Sequence, residues 1–124
     1  MIIGLGIDLI SVSKIAESIK SESFRRKVFT PAEIGSCDSV ANSAERYAGK
    51  FAAKEAFMKA IGKGIRQEVW FSQIEVLNHE TGAAYIVVRG EAERTLSALG
   101  AEQVHVSISH SEGMAVAVVV LTAK

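Results

Sequence analysis

The chain has 124 residues, of which 48% are hydrophobic and 23% charged, and this composition is typical of one globular domain. Fourteen basic residues balance fourteen acidic ones, so the net charge gives no reason to expect binding to nucleic acid or to a membrane surface. The single cysteine, Cys37, excludes an internal disulfide, and the first residues lack the basic start of a signal peptide. We therefore expect one cytoplasmic domain over residues 1–124, without a membrane span.

Residues 2–10 predict a β-strand whose two faces differ in side-chain size. One face carries large apolar side chains and the other carries small ones and a carboxylate: Ile3, Leu5, Ile7 and Leu9 against Gly4, Gly6 and Asp8. The two glycines indicate that a backbone, a helix or a ligand approaches closely. Capping of the next helix explains Asp8 about as well as ligand binding does. Ser11 or Ser13 can cap that helix instead, which leaves Asp8 free for another role.

A short amphipathic helix is predicted over residues 13–20, and a segment with three consecutive cations follows it. Arg25, Arg26 and Lys27, together with Lys14, define a basic patch. A run of charges is usually only a solvated surface. In a protein without net charge, this patch also suits an acidic partner, whose rate of encounter and orientation it would improve.

A second and a third helix are predicted from their start and stop signals. Thr30 and Glu33, with a proline between them, are typical of an N-cap and its capping box, and this helix should run to about Cys37. A long helix is predicted over residues 43–61, because the segment is rich in alanine and ends at Gly62. It is apolar nearly all round, so we expect it to be largely buried.

Glu55 lies midway along this long helix, among Phe, Met and Ala residues. An unpaired carboxylate in such a place costs several kcal/mol or takes up a proton. It therefore needs a cation. Lys59, one turn further on, can supply the charge, and a metal ion shared with a second carboxylate is the alternative. The following Gly62-Lys63-Gly64 turn is a weak phosphate-binding signal.

Two strands are predicted over residues 69–77 and 84–89, joined by a hairpin turn at residues 78–82. Trp70 and Phe71 are expected in the core. A helix is predicted next, over residues 91–99, and it ends at Gly100.

The final hairpin alternates in polarity over residues 103–109 and closes with a strand over residues 114–121. Ser107 and Ser109 share the polar face, and His110 is expected at the turn, so the three should lie near one edge. They can hydrogen-bond a phosphate or a nucleotide base, although an ordinary polar sheet face is the simpler explanation. Together, the elements predict an α+β fold in which a small antiparallel sheet packs against a long central helix and shorter helices.

Three separated stretches resemble holo-acyl-carrier-protein synthases, the small 4'-phosphopantetheinyl transferases of fatty-acid synthesis. They are Gly4-x-Gly6-Ile7-Asp8-Leu9, Phe51-Ala52-Ala53-Lys54-Glu55-Ala56-Phe57-x-Lys59-Ala60-x-Gly62-x-Gly64-Ile65 and His105-Val106-Ser107-Ile108-Ser109-His110. The resemblance covers essentially the whole chain and implies a 4'-phosphopantetheinyl transferase-like fold. It also implies a reaction, in which coenzyme A donates its phosphopantetheine arm to a serine of apo acyl carrier protein and adenosine 3',5'-bisphosphate is released.

The resemblance also implies roles for individual residues. Asp8 and Glu55 would hold Mg²⁺ on the coenzyme A pyrophosphate, and Lys59 would lie near the phosphates and assist the leaving group. Residues implied to contact coenzyme A elsewhere are Lys63 and Gly64 beside the 3'-phosphate, and Ser107, Ser109 and His110 on the nucleotide half or the pyrophosphate. The general base stays open between Glu55, acting through a metal-bound water, and an aspartate of the carrier protein.

The family also implies a homotrimer with each site between two protomers, and a basic patch that docks the acidic acyl carrier protein. The chain departs from the family pattern at Lys14, where an arginine is common, and at residues 82–84, where Gly-Ala-Ala replaces the frequent Gly-Lys-Pro. The second change removes a lysine contact, to coenzyme A. Two other hypotheses remain: a non-catalytic module that binds coenzyme A or a nucleotide, and a structural trimeric domain in which Glu55 pairs with Lys59.

Overall fold

The computed structural model describes residues 1–62 and 69–124. In chain order its strands and helices are β1 Ile2–Ser11, α1 Val12–Ser18, α2 Glu22–Val28, α3 Pro31–Asp38, α4 Ser43–Ile61, β2 Ile74–Asn78, β3 Ala84–Val88, α5 Gly90–Ala98, β4 Gln103–Ser111 and β5 Met114–Thr122. Within these two ranges, no helix combines the length and the hydrophobicity that a membrane span requires.

The strands form two antiparallel sheets, where the sequence pattern predicted one. In the first sheet β5 lies between β1 and β4, and in the second β2 pairs with β3. Alternation identifies strands but not their partners, and helix α5 separates β3 from β4 in the chain. The turn of the β2–β3 hairpin closes as predicted, with the His79 amide donating to the Ala83 carbonyl at 2.9 Å.

Helix α4 packs directly against the inner face of β1, and the two strand glycines permit this contact. A Cβ at Gly6 would overlap the carbonyl oxygen of Ala56, and a Cβ at Gly4 would lie 2.5 Å from the carbonyl oxygen of Ala60. The predicted close approach is therefore confirmed, and the partner is a helix. Asp8 follows on the same inner face, with its side chain 16% exposed.

The opposite side of the first sheet is an apolar surface, which we call the outer face. It consists of Leu5, Ile7 and Leu9 from β1 and Val116, Val118 and Val120 from β5. The three β1 side chains are each more than half exposed. Ile3 does not belong to this face as predicted, because a β-bulge between Ile2 and Gly4 changes the register and Ile3 packs against the core.

Helix α4 has the predicted bounds and is mostly buried, and Gly62 ends it in the left-handed conformation at a φ of 73°. The prediction for Trp70 is wrong, since that side chain is 49% exposed. The strand begins only at Ile74, because residues 71–73 form a 3₁₀ turn in which the Gln73 side chain accepts from the Trp70 amide. Helix α2 is an element that the sequence pattern did not predict.

Candidate active site

Asp8 of β1 faces helix α4 and is not used as a helix cap. The N-cap of α1 is Ser11, whose hydroxyl accepts from the Lys14 amide at 3.4 Å. The expectation that a serine releases Asp8 from capping is therefore confirmed.

Lys59 of α4 reaches across to β1. Its ammonium donates to Asp8 Oδ1 at 3.1 Å and to the Ile7 carbonyl at 3.0 Å. The sequence hypothesis of a Glu55–Lys59 ion pair is wrong, because the lysine leaves its own helix for the neighbouring strand. Among residues 1–62 and 69–124, no ion pair is formed by Glu55.

Glu55 is half-buried, and its environment disfavours the charged carboxylate. Burial raises the pKa of Glu55 first, the negative charge of Asp8 raises it further, and the Lys59 ammonium only partly offsets both. Two acids and one cation thus interact at one place on the β1–α4 contact, which we call the carboxylate site. No cluster of three or more metal-ligating side chains occurs in the described part of the chain, so a metal here needs further oxygen ligands from water or substrate.

One residue before Glu55, Lys54 forms a different kind of ion pair. Its ammonium donates to Glu33 Oε1 at 2.8 Å and to the carbonyls of Phe71 and Ile74 at 3.0 and 2.6 Å. Glu33 also accepts from the backbone amides of Thr30 and Val76. Both side chains are 0% exposed. Sequence reasoning assigned Glu33 only to its capping box, so this buried pair was missed.

A pocket of about 460 Å³ lies between α4, β4 and the turn of the β2–β3 hairpin. Its polar lining includes Arg46, Lys50, Asn78, Ser107 and His110. We call it the cationic pocket. Residues 82–84, where the chain departs from the family pattern, are among its lining residues.

Lys50 is the most buried cation of the cationic pocket. Its ammonium donates to the Val76 carbonyl at 2.7 Å and to Asn78 Oδ1 at 3.0 Å, and these partners are neutral. Burial lowers the pKa of Lys50. Sequence reasoning did not single out Arg46 or Lys50, although their spacing of four along α4 places both on one side of the helix.

His110 lies within strand β4 rather than at the turn where the sequence pattern placed it. Its Nε2 is 2.9 Å from the Glu45 carbonyl, and a Cβ at Gly49 would lie 3.0 Å from the same nitrogen. Ser107 and His110 both line the cationic pocket, whereas Ser109 does not. Ser109 pairs with Val116 and Ser107 pairs with Val118, so the two serines form a polar edge beside the outer face.

Two further groups of predicted residues are the glycine-lysine turn after α4 and the basic patch. Lys63 and Gly64 lie outside the described residues. The basic patch is divided between two helices, with Lys14 on α1 and the cations of residues 25–27 on α2. Lys14, Arg26 and Lys27 are exposed, and Arg25 is half-buried.

Comparisons with known proteins agree on one family. A family model described as the 4'-phosphopantetheinyl transferase superfamily matches residues 4–119. A holo-[acyl-carrier-protein] synthase of Koribacter versatilis is 46% identical over 98% of both chains. The crystal structure of such a synthase from Neisseria meningitidis has a TM-score of 0.89 and 31% identity, covering 98% of this chain and 99% of the other.

A third similar protein was crystallised with a ligand. The holo-(acyl-carrier-protein) synthase of Bacillus anthracis, in complex with CoA (3',5'-ADP), has a TM-score of 0.83 and 36% identity, and the match covers 100% of this chain and 99% of that one. The likeness therefore extends over the whole length of each protein. The α+β fold expected from the sequence is confirmed.

Proposed function

The chain belongs to the 4'-phosphopantetheinyl transferase superfamily, and we propose that it is a holo-acyl-carrier-protein synthase that uses Mg²⁺. It would transfer the phosphopantetheine arm of coenzyme A to a serine of apo acyl carrier protein and release adenosine 3',5'-bisphosphate. The observation that carries the proposal is the carboxylate site, where Asp8, Glu55 and Lys59 meet at the contact of β1 with α4. Full-length similarity to named synthases supports the same reaction.

The carboxylate site fits Mg²⁺ by its chemistry. Mg²⁺ prefers oxygen ligands and commonly takes one or two protein carboxylates, with the rest supplied by water and substrate phosphates. Asp8 and Glu55 supply two carboxylates, and burial together with the negative charge of Asp8 raises the pKa of Glu55, so a further cation would stabilise its charged form. A bound Mg²⁺ would offset the charge of the diphosphate and of the phosphoryl group as it transfers.

The chain's own side chains then bind and orient the reactants. Lys59 is half exposed and would place its ammonium on the diphosphate, where it stabilises the charge of the leaving group. The cationic pocket would hold the nucleotide half of coenzyme A through Arg46, Lys50, Ser107 and His110. Ser109 would contact coenzyme A from the outer face, and Lys63 and Gly64 stay a prediction for the 3'-phosphate.

Glu55 is our choice for the general base, with an aspartate of the carrier protein as the alternative. Oxygen of the carrier serine forms the new bond to phosphorus, the bond to adenosine 3',5'-bisphosphate breaks, and the serine proton passes to Glu55 through a water molecule. A carboxylate within reach of the serine hydroxyl through one water molecule can accept its proton.

We propose that the outer face is buried in a homotrimer, with each active site between two protomers. Six apolar side chains form one contiguous surface on two neighbouring strands, and contiguous exposed apolar surface marks an interface. The polar edge contributed by Ser107 and Ser109 adjoins it, which would bring coenzyme A close to a neighbouring protomer.

The basic patch would dock the acidic acyl carrier protein. Lys14 lies on α1, which directly follows the strand that carries Asp8, so a partner on this helix is near the carboxylate site. Lys14 provides a point charge rather than the bidentate contact of an arginine, and therefore we expect it to affect mainly the rate of encounter. With this partner the protein would act in cytoplasmic fatty-acid synthesis.

The direct test is to incubate the protein with Mg²⁺, coenzyme A and a cognate apo acyl carrier protein, and to weigh the carrier by mass spectrometry. We expect a gain of one phosphopantetheine on the carrier serine, and no gain with a carrier whose serine is replaced by alanine. Metal-independent binding of coenzyme A without any gain in carrier mass would contradict the proposal and favour a non-catalytic binding module.

A further inference from the structure

The ammonium of Lys59 occupies one oxygen of the Asp8 carboxylate, which is a proposed metal ligand. It is 3.1 Å from Asp8 Oδ1 and also donates to the Ile7 carbonyl, so both of its acceptors belong to the strand. The Asp8 side chain is only 16% exposed, whereas the Lys59 side chain is 55% exposed. The lysine can therefore move into solvent while the carboxylate stays in place.

A divalent cation and a lysine ammonium compete for one carboxylate. Both are positive, and like charges a few ångströms apart repel each other near a protein surface. A cation shared by Asp8 and Glu55 must therefore displace Lys59 from Asp8 or accept that repulsion. A diphosphate changes this balance, because it offers the displaced ammonium a new anionic partner.

We propose that Lys59 is an exchangeable counter-ion of the carboxylate site, which disfavours binding of a divalent cation until a diphosphate binds with it. Cation and diphosphate then bind with positive coupling, since each makes the displacement of Lys59 from Asp8 more favourable for the other. The proposal rests on the proposed function, because it takes Asp8 and Glu55 as the metal ligands.

The neighbouring lysine shows why the role belongs to Lys59. Lys54 has three acceptors and is 0% exposed, so it cannot leave Glu33 without unfolding its surroundings. Lys59 has two acceptors and more than half of its side chain in solvent. A long flexible side chain of this kind changes partners at a small cost in free energy.

The experiment measures binding of Mn²⁺ by electron paramagnetic resonance at fixed pH, with and without coenzyme A. Wild type is compared with Lys59→Met, which keeps most of the length of the side chain without its charge, and with the control Lys20→Met on the exposed Lys20–Glu17 pair. We expect Lys59→Met to bind Mn²⁺ alone roughly three- to tenfold more tightly, and coenzyme A to increase that affinity less than it does in wild type. Lys20→Met should behave as wild type.

An Asp8→Asn variant separates failure of this inference from failure of the proposed function. If Mn²⁺ binds wild type in the presence of coenzyme A and Asp8→Asn abolishes this, the metal site stands. An unchanged or weaker affinity of Lys59→Met for Mn²⁺ alone would then overturn the counter-ion role alone. If Mn²⁺ binding does not depend on Asp8 in any state, both proposals are wrong. Circular dichroism and a thermal melt verify that each variant is folded.

Discussion

Helix α4 carries two lysines that pair with carboxylates of other elements, and the two pairs differ in almost every physical respect. Lys54 and Glu33 are fully buried, and four further hydrogen-bonding groups of the backbone surround them. Lys59 and Asp8 are partly exposed, and a second carboxylate beside them has no ion-pair partner among the described residues.

The difference separates a buried ion pair with one arrangement from a partly exposed pair that can exchange partners. A buried pair whose donors and acceptors are all matched has one stable arrangement, so Lys54 fixes the position of α4 against α3 and β2. An ion pair at the surface is weak and can exchange partners. Lys54 and Glu55 are adjacent in sequence but differ in role. Lys54 holds the helix in place, and Glu55 projects into the carboxylate site.

The largest effect is expected from removing the buried cation. Lys54→Met should lower the free energy of unfolding by about 3–5 kcal/mol, because it leaves the Glu33 carboxylate buried without a counter-charge. Denaturant unfolding measures the loss. Adding Glu33→Gln to Lys54→Met should recover part of this loss, because neither position of the pair then carries a buried charge. A loss below about 1 kcal/mol would contradict the structural role assigned to the pair.

Next in size is the loss of transfer activity at the carboxylate site. Glu55→Gln and Asp8→Ala should each lower the rate of carrier modification by about 10²–10³-fold, the usual effect of removing one group that stabilises developing charge. Both variants should keep the wild-type fold, measured by circular dichroism. Glu17→Gln, at an exposed ion pair, is the matched control. An unchanged rate would refute the assignment of that carboxylate.

A smaller effect is expected at the contact that positions Asp8. Gly6→Ala introduces a Cβ onto the carbonyl oxygen of Ala56, so we expect about 1–3 kcal/mol of destabilisation from overpacking. Gly35→Ala is the control, because no atom lies within 4 Å of its added Cβ and the residue is inside helix α3. It should be neutral or stabilising by up to about 1 kcal/mol. Equal destabilisation of both variants would contradict the close approach of α4 to β1.

The smallest expected effect is on the pH dependence of stability, which should have opposite signs for Glu75 and for Glu55 of the carboxylate site. The hydroxyl of Thr30 and the guanidinium of Arg89 hold the pKa of Glu75 below its ordinary value, against the opposing effect of burial. Glu75 therefore stabilises the fold above its unfolded pKa, about 4.3, and this contribution is lost as pH falls through its lower folded pKa. Glu75→Gln should be less stable than wild type near neutral pH and similar to it in acid.

Glu55 should show the opposite sign. Its pKa is raised in the folded state by burial and by Asp8, so its ionisation destabilises the fold as pH rises through the raised pKa. Glu55→Gln should therefore melt at a higher temperature than wild type near neutral pH, and this gain should vanish in acid. Thermal melts over a pH series measure both variants, and the same sign for both would contradict the contrast between the two regions.

The elements with strong local signals could be predicted from the sequence. The bounds of α4, the capping box at Thr30 and Glu33, and the glycine track of β1 each depend on a few neighbouring residues. The ion pairs could not be predicted in this way. Helical spacing allowed Glu55 as the partner of Lys59, with a shared metal ion as the alternative. A lysine side chain is long enough to reach another element, however, and only the packing of β1 on α4 determines its partner.

Burial was the second quantity that the sequence could not determine. Lys54 and Lys50 are charged residues of helix α4, and both are buried because carbonyl oxygens of residues 71–76 accept hydrogen bonds from their ammonium groups. Trp70 shows the reverse: a large aromatic residue is exposed because a short turn replaces the expected strand. The sequence pattern identifies these residues as unusual, whereas their burial and their hydrogen-bond partners depend on the tertiary fold.

The alternation of side chains along β1 has a mechanical consequence. Asp8 projects to the inner face between Ile7 and Leu9, which project to the outer face, and β1 is an edge strand with one hydrogen-bonded neighbour. A partner that packs against Ile7 and Leu9 must also restrict the motion of the backbone that carries Asp8. Self-association and cation affinity should consequently rise together, and amide hydrogen exchange along residues 7–9 should slow as the protein concentration increases.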